Sequence, residues 1–271
     1  MNLKNIIAGI EGLKAKGNLD VEVNNISTDS RNIKQGDMFI AIKGFDTDGH
    51  KYIQSAIQNG AKVILIDESE LKNVMNIIPQ DVVLITSPDS RIATAFIACN
   101  YYDNPSRKMQ VIGVTGTKGK TTTTFMIKSI LEKQGIKTGL IGTIAAYSGS
   151  KKLEDSDRTT PDSIKLQSLF AQMVKDGCTA CVMEVSSQSL KLHRVDGTDF
   201  NIGIFTNFSE DHISEKEHPD MEDYFNSKVK LFQMCKYGFI NVDDINTIRV
   251  PSLAPNCIFR TYGIDNESDL L

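Results

Sequence analysis

The sequence predicts an α/β protein in two parts: a small mixed α/β N-terminal domain over residues 1–105, then a mostly parallel-sheet domain over residues 109–271. Three observations carry this. After residue 108 apolar strands alternate with helices, the rhythm of a parallel sheet covered on both faces. A Gly-rich turn, Thr115-Gly-Thr-Lys-Gly-Lys-Thr121, follows the first of those strands and opens the first of those helices. Between the two parts, Asp103-Asn-Pro-Ser breaks the pattern, and Asp103 to Lys108 reads as a linker.

In the first part, Val21-Glu-Val-Asn24 and Met38-Phe-Ile-Ala-Ile42 predict strands. Tyr52 to Asn59 predicts a short helix stopped by Gly60, then strands Val63–Ile66 and Val82–Ile85. Asp89 or Ser90 caps a helix running to about Tyr102. In the second part, strand Val111–Val114 leads into helix Thr121–Gln134, which Gly135 stops. Strand Lys137–Ile141 follows, and the polar stretch Ser148 to Asp157 reads as a mobile loop. Thr160 is placed as N-cap of a helix ending near Gly177, with Pro161 in its first turn. Strands Ala180–Val185 and Ile202–Phe205, helix Met221–Cys235 and strand Phe239–Val242 complete the alternation, with a further strand at Cys257–Tyr262. The domain is expected to be incomplete at its C-terminus, because an open sheet does not usually finish in a run such as Asp265-Asn-Glu-Ser-Asp269.

At 271 residues, two domains each have room for a core. A net charge of −4 with 24 % charged residues offers no basic footprint for nucleic acid. No apolar run reaches spanning length and the first residues lack a signal-peptide pattern, so no membrane insertion and a cytoplasmic location are expected. A monomer is expected. The five cysteines form no disulfide framework, and Cys178-Thr-Ala-Cys181 reads as a buried thiol pair.

The Gly-rich turn carries the chemistry. A strand, a tight turn and a helix start surround one concavity with backbone N–H groups and the positive end of a helix dipole, which suits a phosphate. Gly116, Thr117, Lys118, Gly119, Lys120, Thr121 and Thr122 would line it. Lys120 adds a mobile cation and Thr121 a hydroxyl able to ligate Mg²⁺. The common phosphate-loop pattern wants Gly five residues before Gly119, where Val114 stands. The reading is a nucleoside triphosphate site on a P-loop-type ATPase domain. Glu184, at a strand end, can face the loop as a direct or water-mediated Mg²⁺ ligand. His212 lies in the polar loop Thr206-Asn-Phe-Ser-Glu-Asp-His212. Taken alone, Lys228 reads as a solvated lysine and the Ser27–Arg31 block as turn formers.

Ten short blocks, in order, resemble the Mur ligase family. They are Ser27-Thr-Asp-Ser-Arg31, Gly36-Asp-Met-Phe-Ile-Ala41, Asp48-Gly-His50, Thr115–Thr121, Thr159-Thr-Pro-Asp162, Met183-Glu-Val-Ser-Ser187, His193-Arg-Val195, Phe205-Thr-Asn207, Asp211-His212 and Tyr224-Phe-Asn-Ser-Lys228. The resemblance runs from about residue 20 to 242 and is strongest to the members that add the third peptide residue. It implies that residues 1–105 bind a UDP-sugar, that residues 109–271 bind ATP, and that a third, C-terminal ligase domain is absent from this chain. By the same resemblance, Thr121 and Glu184 are partners of a first Mg²⁺, and His212 and Lys228 of a second, with Lys228 carbamylated. Lys120, Lys228 and His212 become the catalytic set. Ser30 resembles a contact to the uridine nucleotide, and Thr159, Thr160, Ser186 and Arg194 resemble contacts to the muramoyl-peptide, Arg194 gripping a carboxylate in a fork. Lys118 stands where the family pattern carries Asn, Gln188 where it carries His, Leu192 where it often carries Gln, and Ser214 where it carries Asp.

The implied activity is an ATP-dependent amide ligase. It would add an amino acid to UDP-N-acetylmuramoyl-L-alanyl-D-glutamate through an acyl phosphate, in peptidoglycan precursor synthesis. Diaminopimelate and lysine both remain open as the amino acid. The alternatives are a fragment or paralogue that binds UDP-muramoyl-peptide or ATP without turnover, another ligase of the Mur or folylpolyglutamate type, and a small-molecule kinase. The last leaves Lys228 and His212 unexplained.

Overall fold

The computed structural model describes residues 1–45, 47–211, 213–214 and 217–270. The chain divides into two units, Met1–Asp103 and Asn104–Leu271. Asp103 (φ 60°) and Asn104 (φ 47°) both adopt the left-handed conformation at the division, and Pro105 then starts a 3-10 turn.

The first unit contains α1 (Leu3–Ile6), β1 (Lys14–Lys16), β2 (Ile26–Ser27), β3 (Met38–Ile40), α2 (Ile53–Gln58), β4 (Val63–Asp67), α3 (Leu71–Val74), β5 (Val83–Ser87) and α4 (Ser90–Tyr101). Its sheet has the order β1-β5-β4-β3-β2, parallel except where β1 meets β5. Asp89 caps α4 as expected, accepting from the Arg91 (2.8 Å) and Ile92 (3.2 Å) amides. The expected strand at Val21–Asn24 does not form. Val23 instead donates its N–H to Met1 O (2.9 Å), and Asn24 turns toward Gly36 O (3.1 Å), so only an isolated bridge from Asn2 to Glu22 remains. The strand at Lys14–Lys16, exposed throughout, has no apolar alternation that would announce it.

The second unit contains β6 (Gln110–Thr115), α5 (Lys120–Lys133), β7 (Thr138–Ile141), β8 (Ala145–Ser148), β9 (Lys151–Asp155), α6 (Ser163–Lys175), β10 (Ala180–Glu184), α7 (Ser187–Lys191), β11 (Phe200–Phe205), α8 (Met221–Gln233), β12 (Cys235–Asn241), α9 (Val250–Leu253) and β13 (Ile258–Tyr262). The sheet runs β13-β12-β11-β6-β10-β7-β8-β9. It is parallel through β7, and β8 and β9 are antiparallel additions. Period-two alternation along β6 splits the core. Val111 faces a large cluster with Phe170 of α6 and Phe225 and Phe232 of α8, while Ile112 and Val114 face Ile127 and Leu131 of α5.

Two sequence expectations for this unit are corrected. Ser148–Asp157 is a hairpin arm rather than a mobile loop: Ser148 pairs with Lys151 across a Gly149-Ser150 turn, with Gly149 at φ 59°. Its lysine-rich outer strand carries no apolar pattern, which is how an exposed edge is kept from pairing further. Thr160 is not the cap of α6. Asp162 is, accepting from the Lys165 amide (3.1 Å), and the Thr160 hydroxyl is used elsewhere.

Candidate functional site

β6 lies in the middle of the sheet between β10 and β11, and its chain leaves toward β7, beyond β10. That is a switch point of a doubly wound sheet, where ligands gather at the carboxyl ends of the strands. Glu184 pairs in register with Val114, and Phe205 with Thr115, so the ends of three strands meet at the Gly-rich turn.

The turn needs its glycines. Gly116 sits at φ 143°, and a Cβ there would lie 2.0 Å from Thr206 Oγ1. Gly119 sits at φ 83° with open space where its Cβ would be. It precedes α5 without a side-chain cap, so the first-turn amides of a 14-residue helix have no competing side-chain acceptor. Asn207 holds the turn from β11, accepting from the Thr117 amide through its carbonyl and from the Lys118 amide through Oδ1, both at 2.9 Å. Lys118 reaches Asp211 (2.7 Å) at the surface. Thr122 is exposed on the first turn of α5.

Two lysines converge inside. Lys120 Nζ donates to Gly116 O (2.9 Å) and Thr117 O (3.0 Å), and Lys228 Nζ donates to the same Gly116 O (2.9 Å). Lys228, which read alone as a solvated lysine, is 1 % exposed, and its Nζ stands 4.3 Å from the centre of the Tyr224 ring. Burial, reinforced by the Lys120 charge, pushes its ammonium well below the ordinary lysine range, against an opposing pull from Asp211. Burial also lowers Lys120, with the Glu184 charge opposing it.

Glu184 is 1 % exposed. Its carboxylate accepts from Thr121 Oγ1 (3.0 Å), the Thr143 amide (2.9 Å) and Thr143 Oγ1 (3.1 Å), and Thr143 Oγ1 lies 3.1 Å from Thr159 Oγ1. Thr160 Oγ1 donates to Glu184 O (3.0 Å) and accepts from the Ser186 amide (3.1 Å), fixing the start of α7. Arg194 Nη1 donates to Thr160 O at 3.4 Å, presented by His193 in a left-handed conformation (φ 57°) that an Asp196 contact (2.7 Å) holds.

A cavity of about 220 Å³ joins these groups: Lys120, Lys228, Thr159, Thr160, Ser186 and Arg194 all line it. The structure therefore gathers the loop, Glu184, Lys228 and four sequence-predicted substrate contacts in one place. Ser30 belongs to the first unit, where it opens the Ser30–Asn32 turn and its carbonyl accepts from Asn59 Nδ2 (2.9 Å). His212 lies outside the described residues. Among the described residues, no group of three or more His, Cys, Asp or Glu side chains converges as a metal centre. Sequence reasoning missed Thr143 and Tyr224. The signals were present: a Cβ on Gly142, next to Thr143, would sit 2.3 Å from Glu184 Oε1, and Tyr224 is one helical turn before Lys228.

The donor set fits a nucleotide with Mg²⁺. Mg²⁺ takes few protein ligands beside phosphate oxygens, in an octahedron whose adjacent oxygens stand about 3 Å apart. Thr121 Oγ1 and Glu184 Oε2 are 3.0 Å apart beside the uncapped helix start.

A doubly wound sheet with this loop defines a protein of the P-loop-type fold class. Comparison with known families sharpens the class. The Mur ligase middle domain matches residues 114–271 and the catalytic domain of the Mur ligase family matches residues 22–100, so the chain belongs to the Mur ligase family. It is 48 % identical over 271 residues to a UDP-N-acetylmuramoyl-L-alanyl-D-glutamate–2,6-diaminopimelate ligase of Clostridium tetani, matching 100 % of this chain and 54 % of that one. The ligase of the same name from Clostridium perfringens is 45 % identical over 273 residues, covering 99 % of this chain and 54 % of its own length. A solved structure of a ligase of that name superposes with a TM-score of 0.80 at 25 % identity, over 99 % of this chain and 54 % of that one. A MurF ligase from Thermotoga maritima in complex with ADP shares the fold, with a TM-score of 0.56 at 19 % identity over 89 % of this chain and 51 % of that one. The chain spans about half the length of the curated relatives it matches.

Proposed function

We propose that this chain carries the nucleotide- and acceptor-binding parts of an ATP-dependent amide ligase that extends UDP-N-acetylmuramoyl-L-alanyl-D-glutamate, with 2,6-diaminopimelate as the amino acid added. The substrate assignment rests on the relatives' names. The observation that carries the chemistry is the Thr121–Glu184 oxygen pair beside an uncapped helix start, with two lysine nitrogens on the Gly116 carbonyl oxygen.

A carboxylate does not lose oxide to an amine, so the oxygen must first become a leaving group. Bound ATP supplies the phosphoryl group and Mg²⁺ neutralises charge between the two anions. Lys120, within the loop, swings from the Gly116 and Thr117 carbonyls to the phosphates. The loop amides would hold the phosphate oxygens, and Thr121 and Glu184 would hold the metal. Arg194, Thr159, Thr160 and Ser186 position the acceptor's carboxylate in the shared cavity, so that most of the acceleration is positional. Burial of Lys228 favours its neutral amine, the form that would add CO₂. As a carbamate Lys228 would offer an anionic oxygen to a second Mg²⁺, with His212 as the other protein ligand. We assign UDP-sugar binding to the N-terminal unit, with Ser30 at the uridine nucleotide.

Calorimetric titration of the chain tests this in two arms. MgATP should bind, and Lys120→Ala should abolish that binding. UDP-N-acetylmuramoyl-L-alanyl-D-glutamate should bind, and Arg194→Ala should weaken it by about 100-fold, the worth of a lost charged hydrogen-bonded fork. A chain that binds neither ligand contradicts the proposal.

A further inference from the structure

One buried group, in contact with a residue of the cavity wall, is left unused by the ligase chemistry. His218 is fully buried, and it joins two elements. Its Nδ1 is 2.6 Å from Asp223 Oδ2 on α8, and its Nε2 is 2.9 Å from Ser187 Oγ at the start of α7. Ser187 lines the 220 Å³ cavity. We propose that Ser187, His218 and Asp223 form a base-activated serine, and that Ser187 is a nucleophile toward small activated acyl compounds that enter this cavity. The proposal does not depend on the nucleotide reading.

Proton placement follows from the neighbours. Burial works to raise Asp223, but hydrogen bonds from Lys191 and His218 outweigh it and the carboxyl is held below its usual range. An ionised carboxylate only accepts, so Nδ1 carries the hydrogen. Burial lowers His218, with Asp223 pulling the other way and Lys191 and Lys228 adding to the fall, so Nε2 is bare and Ser187 O–H donates to it. Both distances fall within the reach required of a nucleophile, its base and the group that orients the base. Lys191 fixes the carboxylate from α7, with Nζ 2.8 Å from Asp223 Oδ2 and 3.0 Å from Glu217 O. The Tyr224 ring covers the imidazole, centroids 5.0 Å apart.

The chemistry closes. Ser187 Oγ attacks the carbonyl carbon of an ester, and its proton passes to His218 Nε2. The imidazolium returns that proton to the departing alkoxide as the C–O bond breaks. Water then attacks the acyl-serine along the same proton path, so that ester and water become acid and alcohol. Arg194 and Lys120 line the same cavity and are the cationic donors available there to a transient oxyanion.

The test is labelling of the folded chain with diisopropyl fluorophosphate, with the adduct located by peptide mass spectrometry. Ser187 should be modified and Ser186, in the same cavity, should not. Ser187→Ala should remove the adduct, and His218→Gln should slow labelling about 100-fold or more, the usual contribution of a positioned base. The wild-type rate should rise with pH through one titration below the ordinary histidine value of 6.5, because burial lowers His218. Should His218→Gln not fold, that pH profile decides alone. No adduct on the wild type, equal labelling in folded His218→Gln, or a rate that climbs only in the alkaline range of a bare hydroxyl would each overturn the proposal.

Discussion

Replacing Lys228 with Met should stabilise the protein at neutral pH, and the size of the effect follows from the site. The side chain is 1 % exposed, and it shares the Gly116 oxygen with a second ammonium. Burial and the nearby Lys120 charge both disfavour the ammonium of Lys228, while its hydrogen bond to Gly116 O returns only about 1 kcal/mol. Met fills a similar volume without that penalty, and replacing a buried charged group by an apolar one gains about 1–4 kcal/mol, so Lys228→Met should stabilise by an amount in that range. The sign of the pH dependence is fixed. Lys228 is depressed in the folded state, so the unfolded chain binds more protons between the lowered value and 10.5, and wild-type stability rises with pH across that window. The variant lacks this gain, and its advantage should shrink as the pH rises toward 10.5. Urea denaturation of both proteins by circular dichroism, in bicarbonate-free buffer at several pH values, reads the difference. Added bicarbonate should restore the wild type selectively, because a carbamate on Lys228 would be an anion that the Lys120 ammonium attracts. A variant less stable than wild type at pH 7 without bicarbonate, or a difference constant with pH, refutes the reasoning.

Other predictions concern the loop and the core. Gly116→Ala, whose Cβ would meet Thr206 Oγ1 at 2.0 Å and the Asn207 backbone at 3.1 Å, should lose about 2–4 kcal/mol in denaturation and lose MgATP binding. Gly119→Ala has the same left-handed strain but open space, and should cost only about 1 kcal/mol; equal losses would show that sterics do not rank these positions. Lys118→Asn removes a surface pair with Asp211 and should change stability by less than about 1 kcal/mol, less still in high salt. All five cysteines are buried, with burial pushing the Cys181 and Cys235 thiols up and Cys257 to about 11. A thiol reagent at pH 8 should therefore react only after unfolding, and a fast-reacting thiol in the folded chain would contradict this.

Most of the second unit was legible because its strands are buried and β-rich. Val111–Val114 and Ala180–Val185 announced themselves as apolar runs bounded by glycine or polar residues, and both formed to within a residue or two. The hairpin arm Lys151–Asp155 was illegible for the opposite reason: an exposed edge strand has no apolar side to display. At the site, spacing alone exposed the Gly-rich turn, since backbone conformation there demands particular residues. Lys228 was not legible from its own neighbourhood. Its burial depends on β6 lying beside the helix that carries it, 112 residues away in sequence. Thr160 was misassigned because a Thr-Pro pair looks like a helix start, whereas tertiary contacts with Glu184 and Ser186 claim the hydroxyl. His218 carried no local signal at all, because Ser187 and Asp223 come from separate helices.

Diffraction from the chain with Mg²⁺ and a non-hydrolysable β,γ-methylene analogue of ATP tests the central claim most directly. The account predicts the terminal phosphates against the amides of residues 116–122, Lys120 turned toward them, and the metal between Thr121 Oγ1 and the Glu184 carboxylate. A nucleotide bound elsewhere, or phosphates in the loop with the metal remote from Glu184, would contradict it.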